Sequence, residues 1–388
     1  MIKHIKSLFL RNKIISVLLV LGFLANFANL LRVDQFFWDL NVYQTAVNMF
    51  NKGSDPYLDL QGLKFVYSPY VLMLFSKFGG QLELFFYIFY FFTFVGFVMS
   101  RRGSELLLAS FIATPLFMER FLTYALTTGN LTVFAHFLVI TLVSFHYPAL
   151  CLFFVCIFTI VKPYFGAYFL LILVVWRKEY WIVGKTFTAF FVTTLIFISQ
   201  IFVYPNLFNN FIVSLSNQAL GDNDLRDVGI GIYRIAAIFQ SSGVALVTHC
   251  VVWSFIVLSL IFAVKSLKTR MDSQVYEKLI FFTCLIVVTL ANPRMKVYDY
   301  WIVSAASLVL LYLLNDNFQF LKTKMHKTIF AIFAFLMSAV CSTLNSFDGN
   351  IAGVYVPAFA AYILLFFTAT SQLSVLHNQF PNSDHSGS

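Results

Sequence analysis

Long apolar runs recur along the whole 388-residue chain, and this repetition constrains the fold more than any other feature. A helix needs about 20 mostly apolar residues to cross roughly 30 Å of hydrocarbon. Hydrophobic residues make up 60% of the chain and charged residues 11%, whereas soluble domains contain roughly 45–50% and 25%. Because the runs cover most of the chain, they predict a polytopic integral membrane protein with no sizeable soluble domain.

The predicted fold is an all-α bundle of about ten to twelve transmembrane helices, because short alternating segments typical of a membrane barrel are lacking. Residues 1–378 form one predicted domain, and residues 379–388 form a short polar tail. Residues 67–78 are too few for a comfortable span and are expected to be half-inserted. Residues 148–176 allow two short helices or one long kinked helix. The apolar segments are 13–31, 82–99, 105–118, 131–145, 148–161, 163–176, 186–203, 235–264, 279–291, 300–314, 328–344 and 354–370.

The net charge of +9 is concentrated in short loops between the apolar segments. This distribution follows the positive-inside rule, so we expect these loops and the N-terminus to be cytoplasmic and expect no nucleic-acid partner. No metal-binding or nucleotide-binding motif is present, and we expect no metal and no cofactor. His136 and His249 lie in apolar segments and are expected to be core residues. The basic loops contain Lys3, Lys6, Arg11, Lys13, Arg101, Arg102, Arg177, Lys178, Lys185, Lys265, Lys268, Arg270, Lys322, Lys324 and Lys327.

Asp39 is the carboxylate of greatest chemical interest in the first external loop. Apolar residues recur at helical spacing after it, which predicts an amphipathic helix over residues 38–51 at the membrane surface. In the first turn of a helix a carboxylate is favoured by the helix dipole. The alternative is a carboxylate at the mouth of a membrane cavity, where it takes a proton from an acceptor hydroxyl.

Cationic side chains appear at two further places of interest. Lys162 lies in an apolar stretch directly before Pro163, so it either faces a cavity, an acid or a phosphate, or extends to the membrane interface. In the later turn NPRMKVYDYW, Arg294 and Lys296 are suited to bind a phosphate, and Asp299 to orient a sugar or a cation. A polar turn between two helices also needs such residues for capping.

A set of motifs in the external segments resembles a known family. The string DLNVYQTAVNMFNKGSDPYLD followed by LKFVYSPYVLMLF resembles the opening of the polyprenyl-phosphate-mannose-dependent mannosyltransferases, glycosyltransferase family 87 of the GT-C class. The matching residues in this opening are Asp39, Tyr43, Gly53, Pro56, Tyr57, Phe65, Tyr67 and Pro69.

Later segments are similar to the same family in the same order. They depart from the family pattern in three respects: no Gln separates Gly129 from Asn130, Ala219 replaces a Ser, and the His-containing late motif of some members is absent. The later matches are Gly129 and Asn130, the stretch beginning at Lys162, Asn217 and Gln218 with Arg234, and Pro293, Tyr298 and Asp299.

The resemblance implies a membrane enzyme that moves a hexose, mannose-like, from a polyprenyl-phosphate donor to a glycan or glycolipid acceptor. It implies a bacterial inner-membrane protein with an external active site, in which Asp39 is the general base. Arg234, Arg294 and Lys296 become candidates for the donor phosphate, with Lys162 as a further one. The other implied substrate-binding residues are Tyr43, Tyr67, Asn130, Asn217, Gln218, Tyr298 and Asp299. The alternatives are a transporter or lipid flippase, and a polysaccharide polymerase or ligase.

Overall fold

The computed structural model describes residues 13–58, 65–117, 121–220, 231–237, 240–268, 271–293, 295–318 and 358–365. Within these ranges every regular element is a helix, which confirms the all-α prediction to that extent. The helices are α1 (Lys13–Leu30), α2 (Trp38–Asn51), α3 (Pro69–Phe78), α4 (Leu82–Met99), α5 (Arg101–Phe117), α6 (Phe121–Thr128), α7 (Leu131–Ser144), α8 (Pro148–Val161), α9 (Tyr168–Val175), α10 (Tyr180–Val203), α11 (Pro205–Leu220), α12 (Ile232–Ala237), α13 (Ser242–Leu267), α14 (Ser273–Leu290), α15 (Val297–Phe318) and α16 (358–365).

Several of these helices are long and apolar enough to cross a membrane. Four candidate spans meet that test among the described residues, and a fifth is added if the bent pair α6–α7 counts as one span. Helices α10 and α13 also expose many large apolar side chains, as expected for surfaces that face lipid. The predicted segment 328–344 and the tail 379–388 lie outside the described residues. The four candidate spans are Pro69–Met99, Tyr180–Val203, Gly243–Leu267 and Ser273–Leu290.

The segment expected to be half-inserted contains a helix of its own, α3 (Pro69–Phe78). Helix α3 continues through a 3-10 turn at Gly79–Gln81 into α4, and the 31 residues Pro69–Met99 together form one candidate span. Pro69 is the first residue of α3, where its missing N–H costs little. The sharply bent pair is instead α6–α7, whose axes differ by 103°.

Residues 148–175 form two helices that fold back as a hairpin. Helix α8 ends at Val161, Lys162 is extended, and a 3-10 turn at Pro163–Ala167 leads into α9. The indole Nε1–H of Trp176, directly after α9, donates to Nδ1 of His146, directly before α8, at 3.2 Å. The end of α9 therefore lies beside the start of α8, as two short helices require.

Basic residues from separate loops meet at one end of the bundle. Arg177, after α9, pairs with Glu277 of α14 at 2.9 Å, and Lys178 lies 3.5 Å from the same carboxylate. The neighbouring Lys278 pairs with Glu105 near the start of α5. These contacts bring the loops that precede α5, α10 and α14 to the same end, which we term the basic end.

Helix α7 runs through the interior of the bundle, along the direction that leads from the basic end to the opposite end. Nearly all of its side chains are buried, and it packs against α4, α5, α8 and α15. A helix that is apolar all round is expected in such a position. Its 14 residues correspond to a length of about 21 Å. Its first turn, at the end opposite the basic end, carries the polar cluster described next.

Candidate functional site

Asp39 lies in the first turn of α2, and its carboxylate is almost fully buried, with 7% of the residue exposed. The predicted helix over residues 38–51 is confirmed. Phe37, the N-cap residue of α2, has a left-handed backbone, and its N–H donates to the carbonyl of Thr127 at 2.6 Å. This contact joins the start of α2 to the end of α6 and brings Asp39 to the break between α6 and α7.

Two side chains at that break donate hydrogen bonds to the same carboxylate oxygen. The hydroxyl of Thr128 donates to Asp39 Oδ2 at 3.2 Å, and Nδ2 of Asn130 donates to it in a shorter contact. Asn130 is also the N-cap of α7, because its Oδ1 accepts from the Thr132 N–H at 2.9 Å. One amide group therefore caps the helix and orients the carboxylate.

Gly129 makes the break between the two helices possible. Its φ of +65° lies in the left-handed region, which other residues disfavour. A Cβ at this position would lie 2.8 Å from the Cβ of Phe37, so the chain also passes too close for a side chain. Backbone that leaves the helical conformation at membrane depth is tolerated where protein covers it or where it lines a cavity.

Two buried tyrosines connect α2 to the same amide. The hydroxyls of Tyr43 and Tyr67 lie 2.8 Å apart, and the Tyr67 hydroxyl donates to Oδ1 of Asn130 at 3.4 Å. Because the proton of the Tyr67 hydroxyl is donated to Asn130, the Tyr43 hydroxyl donates to Tyr67, and the Tyr43 oxygen also accepts from the N–H of Leu131 at 3.3 Å. Burial raises the pKa of both phenols well above the ordinary value, so both remain neutral hydrogen-bonding groups.

Two lysines contribute positive charge to the site. Lys162 is buried, and its Nζ lies 4.2 Å from the ring centroid of Tyr67. Lys296, in the turn before α15, is half-buried. Burial raises the pKa of the Asp39 carboxyl above its ordinary value, whereas the hydrogen bond from Asn130 and the positive charges of Lys162 and Lys296 act in the opposite direction. The carboxylate and both cations therefore act on one another within a single site.

The turn before α15 is fixed by Asp299, which is 1% exposed. Its Oδ2 accepts from Nδ2 of Asn292 at 3.1 Å and from the backbone N–H of Lys296 at 3.1 Å. Its Oδ1 lies 3.0 Å from Nε2 of His136 on α7. The other nitrogen of that imidazole is hydrogen-bonded to the hydroxyl of Tyr168. Both carboxylate oxygens of Asp299 thus have protein partners.

The remaining predicted residues lie on other elements. Tyr298 acts electrostatically on Tyr43 and Tyr67 and so belongs to the site. Asn217 is exposed on α11, and no described contact joins it to Asp39. The backbone of Gln218 belongs to α11 and that of Arg234 to α12, whereas Arg294 lies outside the described residues.

The start of α12 nevertheless lies against the turn that precedes α15. A Cβ on Gly231 would meet the carbonyl oxygen of Pro293 at 2.4 Å, so the two segments are in close contact. The helix that carries Arg234 therefore begins beside the turn that carries Lys296.

The residues of this cluster that were not among the sequence-based candidates include Thr128, His136 and Tyr168. The polar run TTGN within an apolar region signals the Thr128 position, since such a run is costly in a membrane unless it is satisfied. The other two residues carry no comparable local signal. Together the cluster offers two buried carboxylates, Asp39 and Asp299, two cations and several neutral donors, which suits proton removal beside a bound anion. The sequence matches no protein-family model and no curated protein.

Proposed function

We propose that this chain is an integral membrane glycosyltransferase of the GT-C class. In this proposal it moves a mannose-like hexose from a polyprenyl-phosphate donor to a glycan or glycolipid acceptor. The observation that carries the proposal is the buried Asp39 carboxylate, oriented by Thr128 and Asn130 and acted on by the charges of Lys162 and Lys296. Transfer of a sugar from a phosphate to a hydroxyl is promoted by a base that removes the hydroxyl proton and by cations that stabilise the leaving phosphate.

The proposed reaction uses each part of the cluster once. Asp39 removes the proton from the acceptor hydroxyl while that oxygen forms a bond to the anomeric carbon of the donor sugar. The bond between this carbon and the phosphate oxygen breaks, the phosphate leaves with its electron pair, and the configuration inverts. Lys162 and Lys296 stabilise the charge that develops on the phosphate. Because burial raises the pKa of Asp39, its ionised form is a stronger base than an exposed carboxylate.

The proposed membrane arrangement follows the charge distribution. Ten to twelve transmembrane helices form the bundle, and the basic end, with the N-terminus, faces the cytoplasm according to the positive-inside rule. The Asp39 cluster lies at the opposite end of α7 and would face the exterior of the inner membrane. This arrangement suits a donor whose polyprenyl tail stays in the lipid while its phosphate and sugar reach the cluster.

The test is hexose transfer from a polyprenyl-phosphate sugar by purified protein, with Asp39→Asn beside the wild type. Loss of a general base is expected to lower the rate on the order of 10²–10⁴-fold. Asp55→Asn is the matched control, because Asp55 lies in the same loop but accepts from the Tyr57 N–H and from Asn210, both at 2.8 Å. Equal rates for the wild type and a folded Asp39→Asn would remove Asp39 as the base.

One observation favours a transporter or flippase as the second candidate. The helix broken at Gly129 and Asn130 resembles the discontinuous helices that transporters use to bind substrates within the membrane. The two functions differ in their products. A transporter in liposomes would move a polyprenyl-phosphate sugar between leaflets without forming a new glycosidic bond, whereas the proposed enzyme releases polyprenyl phosphate in equal amount to the glycosylated acceptor.

A further inference from the structure

His136 is a buried titratable group that the proposed chemistry does not use. It lies on α7, six residues after Asn130, the residue that orients Asp39. Its side chain is 2% exposed and contacts Asp299 through Nε2 and Tyr168 through Nδ1. Six residues correspond to about 9 Å along a helix, so one rigid element carries both the donor to Asp39 and the contact to Asp299.

The partners of Asp299 define the role of Nε2 of His136. The Asp299 carboxylate already accepts from Asn292 and from the Lys296 backbone, and as a carboxylate it can only accept. Nε2 of His136 must therefore donate to it. Nδ1, the other ring nitrogen, is hydrogen-bonded to the hydroxyl of Tyr168, so both nitrogens of the imidazole have protein partners.

Asp299 transmits this contact to the backbone of Lys296. Lys296 directly precedes α15, and Asp299 is the third residue of that helix, so the carboxylate accepts from the N–H at the N-cap position. The turn from Asn292 to Lys296 is thus held by one carboxylate, which is itself held by α7.

We infer that His136 is a positioning residue that anchors Asp299 to α7 and thereby holds the turn that carries Lys296 in the same site as Asp39. Its consequence for sugar transfer rests on the proposed function, whereas the anchoring itself does not. Without the anchor the Lys296 ammonium moves away from Asp39. The groups that then still act on Asp39 are Thr128 and Asn130 from the α6–α7 break and Lys162 from the end of α8.

The first test is amide hydrogen exchange on the full chain in detergent, which needs no turnover. His136→Leu removes the anchor, and we expect faster exchange in the segment 292–299, above all at the Lys296 amide. His136→Gln keeps an N–H donor for Asp299 and is expected to stay close to the wild type. Thr141→Val is the matched control, because Thr141 lies on the same helix and its hydroxyl donates only to the Phe137 carbonyl, at 2.7 Å.

The second test is the pH profile of sugar transfer. A cation beside a carboxylate lowers its pKa, so displacement of Lys296 raises the pKa of Asp39. Since the base acts in its ionised form, the rising limb of kcat/KM for the donor should move to higher pH in His136→Leu but not in Thr141→Val. A misplaced phosphate contact should also lower kcat/KM on the order of 10–100-fold.

The outcomes separate the two proposals. Faster exchange confined to 292–299 in His136→Leu, with no transfer by any form of the protein, supports the anchor and counts against the glycosyltransferase. Transfer by the wild type with unchanged exchange and an unchanged pH limb in a folded His136→Leu overturns the anchor alone. Equal, chain-wide loosening in His136→Leu and Thr141→Val also overturns it, because His136 would then be an ordinary core residue.

Discussion

Replacing Gly129 with Ala should destabilise the protein more than any other Gly-to-Ala change considered below. The left-handed backbone of Gly129, with φ of +65°, costs an L-residue about 1–2 kcal/mol. The added Cβ would lie 2.8 Å from Phe37 Cβ and 3.0 Å from its Cα, so backbone as well as side chain must shift. Such overpacking costs about 1–3 kcal/mol. The sum is a decrease of about 2–5 kcal/mol in the free energy of unfolding.

Equilibrium unfolding in mixed micelles measures this change, and two other glycines separate its components. Gly53 has φ of +78° with nothing within 4 Å of an added Cβ, so Gly53→Ala should cost only the backbone part, about 1–2 kcal/mol. Gly184 is inside α10, also with open space around an added Cβ, and Gly184→Ala should stabilise by about 0.5–1 kcal/mol. A loss for Gly129→Ala no greater than that for Gly53→Ala would refute the close approach of Phe37. Sugar transfer should fall with Gly129→Ala because the same break orients Asn130.

Two charge substitutions give further predictions. Lys162→Met removes a cation that acts on Asp39, so the pKa of Asp39 should rise and the rising limb of transfer against pH should move to higher pH, while Lys162→Arg should keep the wild-type limb. An unshifted limb in Lys162→Met would show that this charge does not reach Asp39, the proposed base. Arg177→Met at the basic end breaks the 2.9 Å pair with the partly exposed Glu277, which should cost at most about 1 kcal/mol of stability. Its transfer rate should match the wild type, and a large loss would contradict the separation of the two ends by α7.

Local sequence patterns predicted several helices with accurate limits. The amphipathic repeat predicted α2 over 38–51, and the apolar runs at 82–99 and 148–161 match α4 and α8. These limits were accessible because helix formation and termination depend on residues within about one turn of each other, such as Pro148 at a helix start. The 3-10 turn at Gly79–Gln81 was not anticipated, since continuity between α3 and α4 depends on how both pack.

The candidate site shows where local patterns stop being informative. Lys162 admitted two interpretations from sequence, a cavity-facing cation or one that extends to the interface. In the structure it is buried over the ring of Tyr67, which favours the first. His136 was expected to be a core residue, and it is buried with both ring nitrogens hydrogen-bonded. The sequence did not indicate that one of its partners is a carboxylate 163 positions away.

The sequence by itself determined that this chain is helical, largely apolar and basic at particular loops, because these properties follow from composition and from neighbours along the chain. Only the tertiary structure decided that Asp39 meets Asn130, 91 positions away, and that α7 connects this pair to Asp299. Such pairings depend on the order in which helices pack. A buried polar group must find a partner wherever the packing places one, and no local pattern records that choice.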